Sequence, residues 1–406
     1  MKGKHLAVVL VLLAALGGVA LFLNSRSTAS WSSASTTSGN KVLDFPLNDV
    51  TQATIKDKNA ELSLVKKDDV WGVKERADYP ADFDKVSALL RKLWELRPVQ
   101  DVKVGPSQLG RLELTAPGQG TNSGTLIDLK GAGDKRIEGL LLGKKHLRNP
   151  DQPAAEGGGI AMGRYVMAED GSNRVYLVSD TFDEVVSTPS QWLSREFFKV
   201  DKPRSITVAG TGPGVNYKVV HDGPTSPWKL ADPKPGEELD GSKVAAVSSQ
   251  FASPSFTDVL PPDAPASETG LDKPSTVQIE TFDGFVYDIR IGKLKDEGYP
   301  VMISVKADLL KERTPAADEK PEDKAKLDQE FQTKQKQLSD KLAAEQKLST
   351  RTYLLMKPTV EQVLKERASL MVEKKASPTP GVAAAPSTPA KAPSPAPARM
   401  PPPKKR

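Results

Sequence analysis

Two stretches of the chain present the same residue types in the same order. The first runs Ile55, Trp71, Lys85-Val86, Gly143-Lys144, Val166-Met167, Tyr176-Leu177, and the second Ile206, Trp228, Lys243-Val244, Gly292-Lys293, Val301-Met302, Tyr353-Leu354. The spacing drifts only where the intervening residues are loop-like, which predicts two tandem copies of one domain. A chain of 406 residues has room for two such copies, each of the common domain size and each able to bury a core. Nothing inside either copy has the spacing of a catalytic or metal site, so the pattern constrains architecture more than chemistry.

The element pattern is mixed. In the first copy, 54–56, 61–66 and 71–73 alternate apolar and polar residues like short strands of an antiparallel meander. Asp82 is placed to cap a helix in which Phe83, Val86, Leu89, Leu90, Leu93 and Leu96 recur at steps of three and four until Pro98 ends the run. Further strands are expected at 112–114, 125–129, 137–142, 165–168 and 174–178, with a short closing helix at 181–187. The second copy repeats the order, with strands at 205–208, 217–220, 229–230, 276–281 and 286–291 and helices at 242–251 and 359–370. Strands in runs with helices set among them, rather than strict alternation, predict an α+β class built on mainly antiparallel sheets and argue against a parallel nucleotide-binding sheet.

The copies differ by insertions. Residues 144–163 are polar, contain proline and include Gly157-Gly158-Gly159, and read as a loop. Residues 308–350 are nearly all charged or polar, with good helix formers after Pro321. Leu327, Phe331, Leu338 and Leu342 fall at steps of four, seven and four, on one narrow face of a helix. Fewer than three heptads are present, so the expectation is a protruding helix that rests on its own domain rather than a coiled coil.

The two ends have other compositions. Lys2 and Lys4 precede an uncharged run over residues 6–23, and 18 residues at 1.5 Å each give roughly 27 Å, close to the thickness of a bilayer core. The run is longer than a signal-peptide core and is followed by a poor cleavage site, so an uncleaved anchor is expected. The basic residues ahead of it place the N-terminus in the cytoplasm and the bulk outside. Serine, threonine, alanine and glycine dominate 25–40, the composition of a tether. The expected organisation is an anchor over 1–24, a tether over 25–41, repeats over 42–199 and 200–375 with the helical insertion 308–350, and a proline- and alanine-rich tail over 376–406.

The formal charge is +5, and that tail holds five basic residues, Lys391, Arg399, Lys404, Lys405 and Arg406, with no acidic one. Subtracting them, 5 − 5 = 0, leaves residues 1–375 formally neutral. A phosphate-tracking nucleic-acid surface therefore loses its support, and no nucleic-acid partner is expected. There is no cysteine, which removes disulfides, thiolate metal sites, thiol nucleophiles and a lipidated-cysteine anchor together.

The search for chemistry yields no catalytic, cofactor or metal residues. His146 and His221 stand alone, and His5 lies in the leader. Gly210-Thr211-Gly212-Pro213-Gly214 lacks the following helix and lysine of a phosphate loop and reads as a hairpin turn. Ser63 and Lys66 match a serine-x-x-lysine spacing, but a strand puts them on opposite faces. The acidic clusters Asp68-Asp69, Glu237-Glu238 and Asp318-Glu319 fall in polar turns or charge runs. Trp71 and Trp228 are expected under the helix of each copy rather than as sugar-stacking platforms.

Phe45-Pro46-Leu47, Val50, Ile55, Trp71-Gly72-Val73, Tyr79-Pro80-Ala81-Asp82 and the leucine-rich helix to Leu96 resemble the opening of the bacterial envelope family catalogued as domain of unknown function 4340. Gly143-Lys144, the 174–178 strand, Val185-Val186 and Trp192-Leu193-Ser194-Arg195-Glu196-Phe197-Phe198 resemble its closing part. The resemblance covers about 42–200, with 200–372 as a diverged second copy. It implies a single-pass protein on the bacterial cytoplasmic membrane with its bulk periplasmic or extracytoplasmic, and association with ABC-type transporter subunits, including gliding-type systems. It implies no catalytic residue. The charged insertion and the proline-rich tail depart from a compact member of the family. The expected function is a non-enzymatic envelope accessory or scaffold protein; the competing expectation is a ligand-binding or hydrolytic domain acting on cell-wall or polysaccharide material, which needs a concave site between the copies.

Overall fold

The computed structural model describes residues 41–120, 122–148, 159–315 and 319–373. The expected anchor at 6–23, the tether over 25–40 and the tail over 376–406 lie outside the described residues. Within them, no helix is long and apolar enough to cross a membrane.

Short-range chemistry sets the strand and helix starts. Asp68 and Asp69 both take left-handed φ, 47° and 64°, and make the two-residue turn that reverses β2 (Glu61–Lys67) into β3 (Val70–Val73). Asp82 caps α1 (Phe83–Glu95) by accepting the Lys85 amide at 3.1 Å, and Val86, Leu89, Leu90 and Leu93 are buried beneath it. Phe83 falls off that stripe and is 63% exposed. The remaining strands of the first half are β1 (Gln52–Lys56), β4 (Tyr79–Pro80), β5 (Gln100–Val102), β6 (Thr125–Lys130), β7 (Arg136–Arg148), β8 (Ile160–Ala168) and β9 (Val175–Val178). They form one nine-stranded sheet in the order β4-β3-β2-β1-β6-β7-β8-β9-β5.

The second half contains β10 (Pro203–Ala209), β11 (Asn216–Val220), β12 (Lys229–Leu230), α2 (Gly241–Ser249), β13 (Asp258–Leu260), α3 (Ala266–Thr269), β14 (Ser275–Thr281), β15 (Phe285–Ile291), β16 (Gly298–Ala307), α4 (Pro321–Gln346), β17 (Thr352–Met356) and α5 (Lys357–Val363). Its eight strands follow the order β12-β11-β10-β14-β15-β16-β17-β13. Removing β4 from the first sheet leaves the same order, with β3 in the place of β12, β1 of β10, β6 of β14, β9 of β17 and β5 of β13. The registers agree as well: Val166 lies opposite Leu142 and Tyr176, and Val301 opposite Ile291 and Tyr353. Every strand pair is antiparallel among the described residues, and the class is α+β with few helices.

The repeated glycine-lysine pair has a steric cause in both sheets. After β5 the chain crosses back as a 3-10 segment, Pro106–Leu112, and the Leu112 carbonyl oxygen lies where a Cβ on Gly143 would stand. After β13 the Thr269 carbonyl at the end of α3 occupies the same place over Gly292 and accepts the Lys293 amide at 2.9 Å.

Several expected elements differ. Residues 112–114 are not a strand: the 3-10 segment ends at Glu113 with left-handed φ 56°, and Leu114 folds back so that its amide donates to the Leu109 carbonyl at 2.9 Å. Residues 181–187 are not a helix, because Phe182 takes φ 50° and its amide donates to the Asp180 carboxylate at 2.7 Å; the helical turn comes later, at Pro189–Trp192. The expected loop at 144–163 is a strand at both ends, since β7 runs on through Arg148 and pairs with 160–164 of β8; residues 149–158 lie outside the described residues. The helix expected over 359–370 stops at Val363 and resumes as a 3-10 turn, Arg367–Leu370.

The buried side chains form one continuous cluster through both halves, from Val42 and Leu43 to Leu370, rather than two separate cores. A smaller cluster around Leu114, Leu141, Met167 and Val175 lies on the other face of the first sheet, under the crossing segment. Helix α4 rests on the second sheet, with Leu338 and Leu342 against the core, as the narrow apolar stripe predicts.

Candidate functional site

The first sheet ends at β4 and the second at β13, and these two edges meet. Tyr79 on β4, Phe256 just before β13, Tyr353 on β17 and Phe197 in the connecting segment form a closed aromatic group, with ring centroids 4.8–6.1 Å apart. Most of these pairs meet edge to face, the geometry favoured by ring quadrupoles. Around this group the Arg76 guanidinium grips Asp258 through both carboxylate oxygens, each at 2.7 Å, and Asp258 raises the Arg76 pKa. The Arg351 guanidinium donates to the Ala77 carbonyl at 2.8 Å, and Arg195 donates to the carbonyls of Phe256 at 2.9 Å and Ser190 at 2.6 Å. Burial pushes the Tyr79 and Tyr353 phenols up.

A cavity of about 370 Å³ opens at this seam, with Tyr79, Phe197 and Tyr353 as its aromatic wall and Glu345, Lys347 and Arg351 as its polar one. Glu345 is buried, 6% exposed. Both of its oxygens are engaged: Oε1 accepts the Lys199 amide at 2.9 Å and Oε2 the Tyr287 hydroxyl at 2.9 Å. Burial raises its pKa, against the lowering effect of those bonds and of Lys341. A carboxylate held in this way pins α4 to the second sheet. The seam is built to hold the halves together.

The residues singled out from sequence are dispersed. Trp71 is buried in the core and Trp228 is half-buried beside His221, ring centroids 3.7 Å apart; neither lines the seam cavity. His146 lies on β7 with Nδ1 3.3 Å from the Tyr165 hydroxyl. Ser63 and Lys66 are on opposite faces of β2, and Lys66 pairs with Asp69 at 2.9 Å. The glycine-rich stretch 210–214 joins β10 to β11 as a turn, with the Gly210 amide on the Val215 carbonyl at 2.6 Å. Glu237 accepts from Arg367 at 2.7 Å, and Glu319 accepts from Arg313 at 2.7 Å. Among the described residues no group of three histidine or carboxylate side chains is gathered to hold a metal. Sequence reasoning missed Arg76, Asp258, Arg351 and Glu345, whose partners are far away in the chain and carry no local pattern.

Two antiparallel sheets of one strand order, joined edge to edge through an aromatic seam, are the class of protein these residues define. A family model described as "Domain of unknown function (DUF4340)" matches residues 71–274, just over half of the 406, and the chain belongs to that family. The matched span begins at Trp71 on β3 and ends at Pro274 just before β14, so it crosses the seam instead of coinciding with one half. No curated protein and no solved structure matches the chain.

Proposed function

We propose that this chain is a non-catalytic accessory protein of the bacterial envelope, two copies of one domain held on the outer face of the cytoplasmic membrane by an N-terminal helix. Its role in this reading is to present a surface to a membrane complex such as an ABC-type transporter or a gliding-type system. The observation that carries the reading is the uncharged run at 6–23 behind Lys2 and Lys4, followed by a tether and then the whole folded body. The matching strand orders support duplication, and a seam closed by aromatic and ionic contacts suits a body that displays a surface.

The test is extraction of tagged full-length protein from washed membranes in mild detergent after cross-linking. Recovery in the membrane fraction together with integral transporter subunits is the expected result. Release by alkaline wash, or recovery of the protein alone after cross-linking, overturns the reading.

A further inference from the structure

The two sheets differ most at the end of β7. Its counterpart β15 stops at Ile291, and the chain turns at once, closed by the Lys295 amide on the Gly298 carbonyl at 2.9 Å. Strand β7 instead continues five residues past Gly143, through Lys144-Lys145-His146-Leu147-Arg148, and pairs with the start of β8 as an arm beyond the sheet. Between the root of this arm and the crossing 3-10 segment lies an open groove of about 700 Å³.

The groove is lined by Lys103, Arg111, Lys144, Lys145 and His146 over a floor that includes Val104 and Tyr165, and no carboxylate among the described residues lines it. Lys145 pairs with Asp183, and Arg111 Nη1 donates only to the neutral Gln108 side chain at 3.0 Å. Lys103 and Lys144 have no carboxylate partner among the described residues. The corresponding corner of the second half is mixed in sign, with Asp296 and Glu297 beside Lys293 and Lys295, and Glu268 on the crossing segment. Residues 1–375 are formally neutral, so this cationic groove is a local segregation of charge and not a share of a general excess.

We propose that the groove binds a phosphate-bearing anion. A forked guanidinium with lysines around it supplies the multiple donors that a phosphate group accepts, and the Val104 and Tyr165 floor receives the organic part of a phosphate ester. The shared chemistry is a phosphate mono- or diester, whether carried by a lipid headgroup or by a soluble ester. The site depends on the first half alone and stands whether or not the anchoring reading holds.

The chain has no cysteine, so Ile160→Cys, at a position 67% exposed on the arm, gives one attachment point for an environment-sensitive dye. Labelled full-length protein in uncharged detergent is titrated with glycerol 3-phosphate against sodium chloride of equal ionic strength. A second arm places it in nanodiscs of phosphatidylcholine with rising fractions of phosphatidylglycerol, which adds a net-anionic phosphodiester to a zwitterionic background. The expected result is a saturable, phosphate-specific response in at least one arm. Response to the soluble ester identifies a phosphate-ester site, and response to phosphatidylglycerol alone identifies a headgroup site. The triple variant Lys103→Gln, Arg111→Gln, Lys144→Gln should bind more weakly by roughly tenfold or more, with an unchanged unfolding midpoint, while Lys293→Gln with Lys295→Gln should titrate like the parent. Absence of a saturable response in both arms, a chloride response of equal size, or a triple variant that titrates like the parent overturns the proposal.

Discussion

Glu345 offers a sharp test of how α4 is held. Its two oxygens receive the Lys199 amide and the Tyr287 hydroxyl, each at 2.9 Å, but that hydroxyl also lies 3.0 Å from the Lys199 carbonyl. One phenolic proton can serve only one of these acceptors at a time. In Glu345→Gln the amide oxygen can keep the Lys199 amide, the new NH2 can donate to the Tyr287 oxygen, and Tyr287 can turn its proton to the Lys199 carbonyl. The Lys199 amide and the Tyr287 hydroxyl then keep partners and the buried charge is gone, while one amide hydrogen is left over and the Lys341 ion pair at 3.9 Å is lost. Glu345→Leu instead leaves the Lys199 amide without its acceptor, at a cost of about 1–3 kcal/mol. At pH 7, Gln should therefore lie within about 1 kcal/mol of the parent or above it, and Leu below both by about 1–3 kcal/mol.

The pH dependence has a definite sign. Burial raises the folded-state pKa of Glu345 above its unfolded value, so the ionised form is a net cost to the fold above the folded pKa. That cost declines as pH falls through the folded pKa and is gone below the unfolded value of about 4.3. Any advantage of Gln over the parent should therefore shrink on acidification across that window. Urea unfolding of full-length protein in mild detergent at pH 7 and pH 5, followed by the fluorescence of its five tryptophans, reads both effects. A Gln variant as unstable as Leu, or a Gln advantage that grows on acidification, refutes the argument.

Three further outcomes follow from the geometry. A double-mutant cycle of Arg76→Ala and Asp258→Ala should show a coupling of about 1–2 kcal/mol by denaturant unfolding, because the bidentate pair is mostly shielded and bridges the two halves; additive effects would mean that this ion pair does not help to hold the seam. Gly143→Ala and Gly292→Ala should each lose about 1–3 kcal/mol of thermal stability through overpacking against the Leu112 and Thr269 carbonyls, whereas Gly105→Ala, with open space at its Cβ, should change little. Asp82→Ala should cost about 1 kcal/mol and raise amide exchange in the first turn of α1, since it removes the acceptor for the Lys85 amide.

The parts of this fold legible in the sequence are those with local causes. The α1 boundaries follow from Asp82, the leucine spacing and Pro98, and the turns at Asp68-Asp69 and 210–214 follow from residues that tolerate tight reversal. Strands β4, β5 and β13 have two or three residues each, too few to show a period, and exist because a longer neighbour supplies their hydrogen bonds. Leu112-Glu113-Leu114 has the alternation of a strand, but the left-handed turn at Glu113 overrides it. Lys144 to Arg148 has no apolar alternation and is nevertheless a strand, because β8 pairs with it. The Arg76 and Asp258 pair, 182 residues apart, lies beyond any window-based reading.

The insertions differ in how much of their surface the protein itself uses. The second half's helix α4 packs Leu338 and Leu342 on the core, pairs Lys334 with Asp283 and Lys341 with Asp201, each at 2.7 Å, and ends where Lys347 and Arg351 line the seam. Its stripe and many of its charges are satisfied internally, so it acts as a brace for the junction of the two halves. The first half's β7–β8 arm makes the opposite use of its residues: Ile160 and Met162 are 67% and 40% exposed, and Lys144 has no carboxylate partner among the described residues. Apolar and cationic groups left unmatched on a paired strand arm cost solvation and repulsion with no internal return. Under the proposal above, it is the groove at the root of this arm, and not the seam, that takes the ligand.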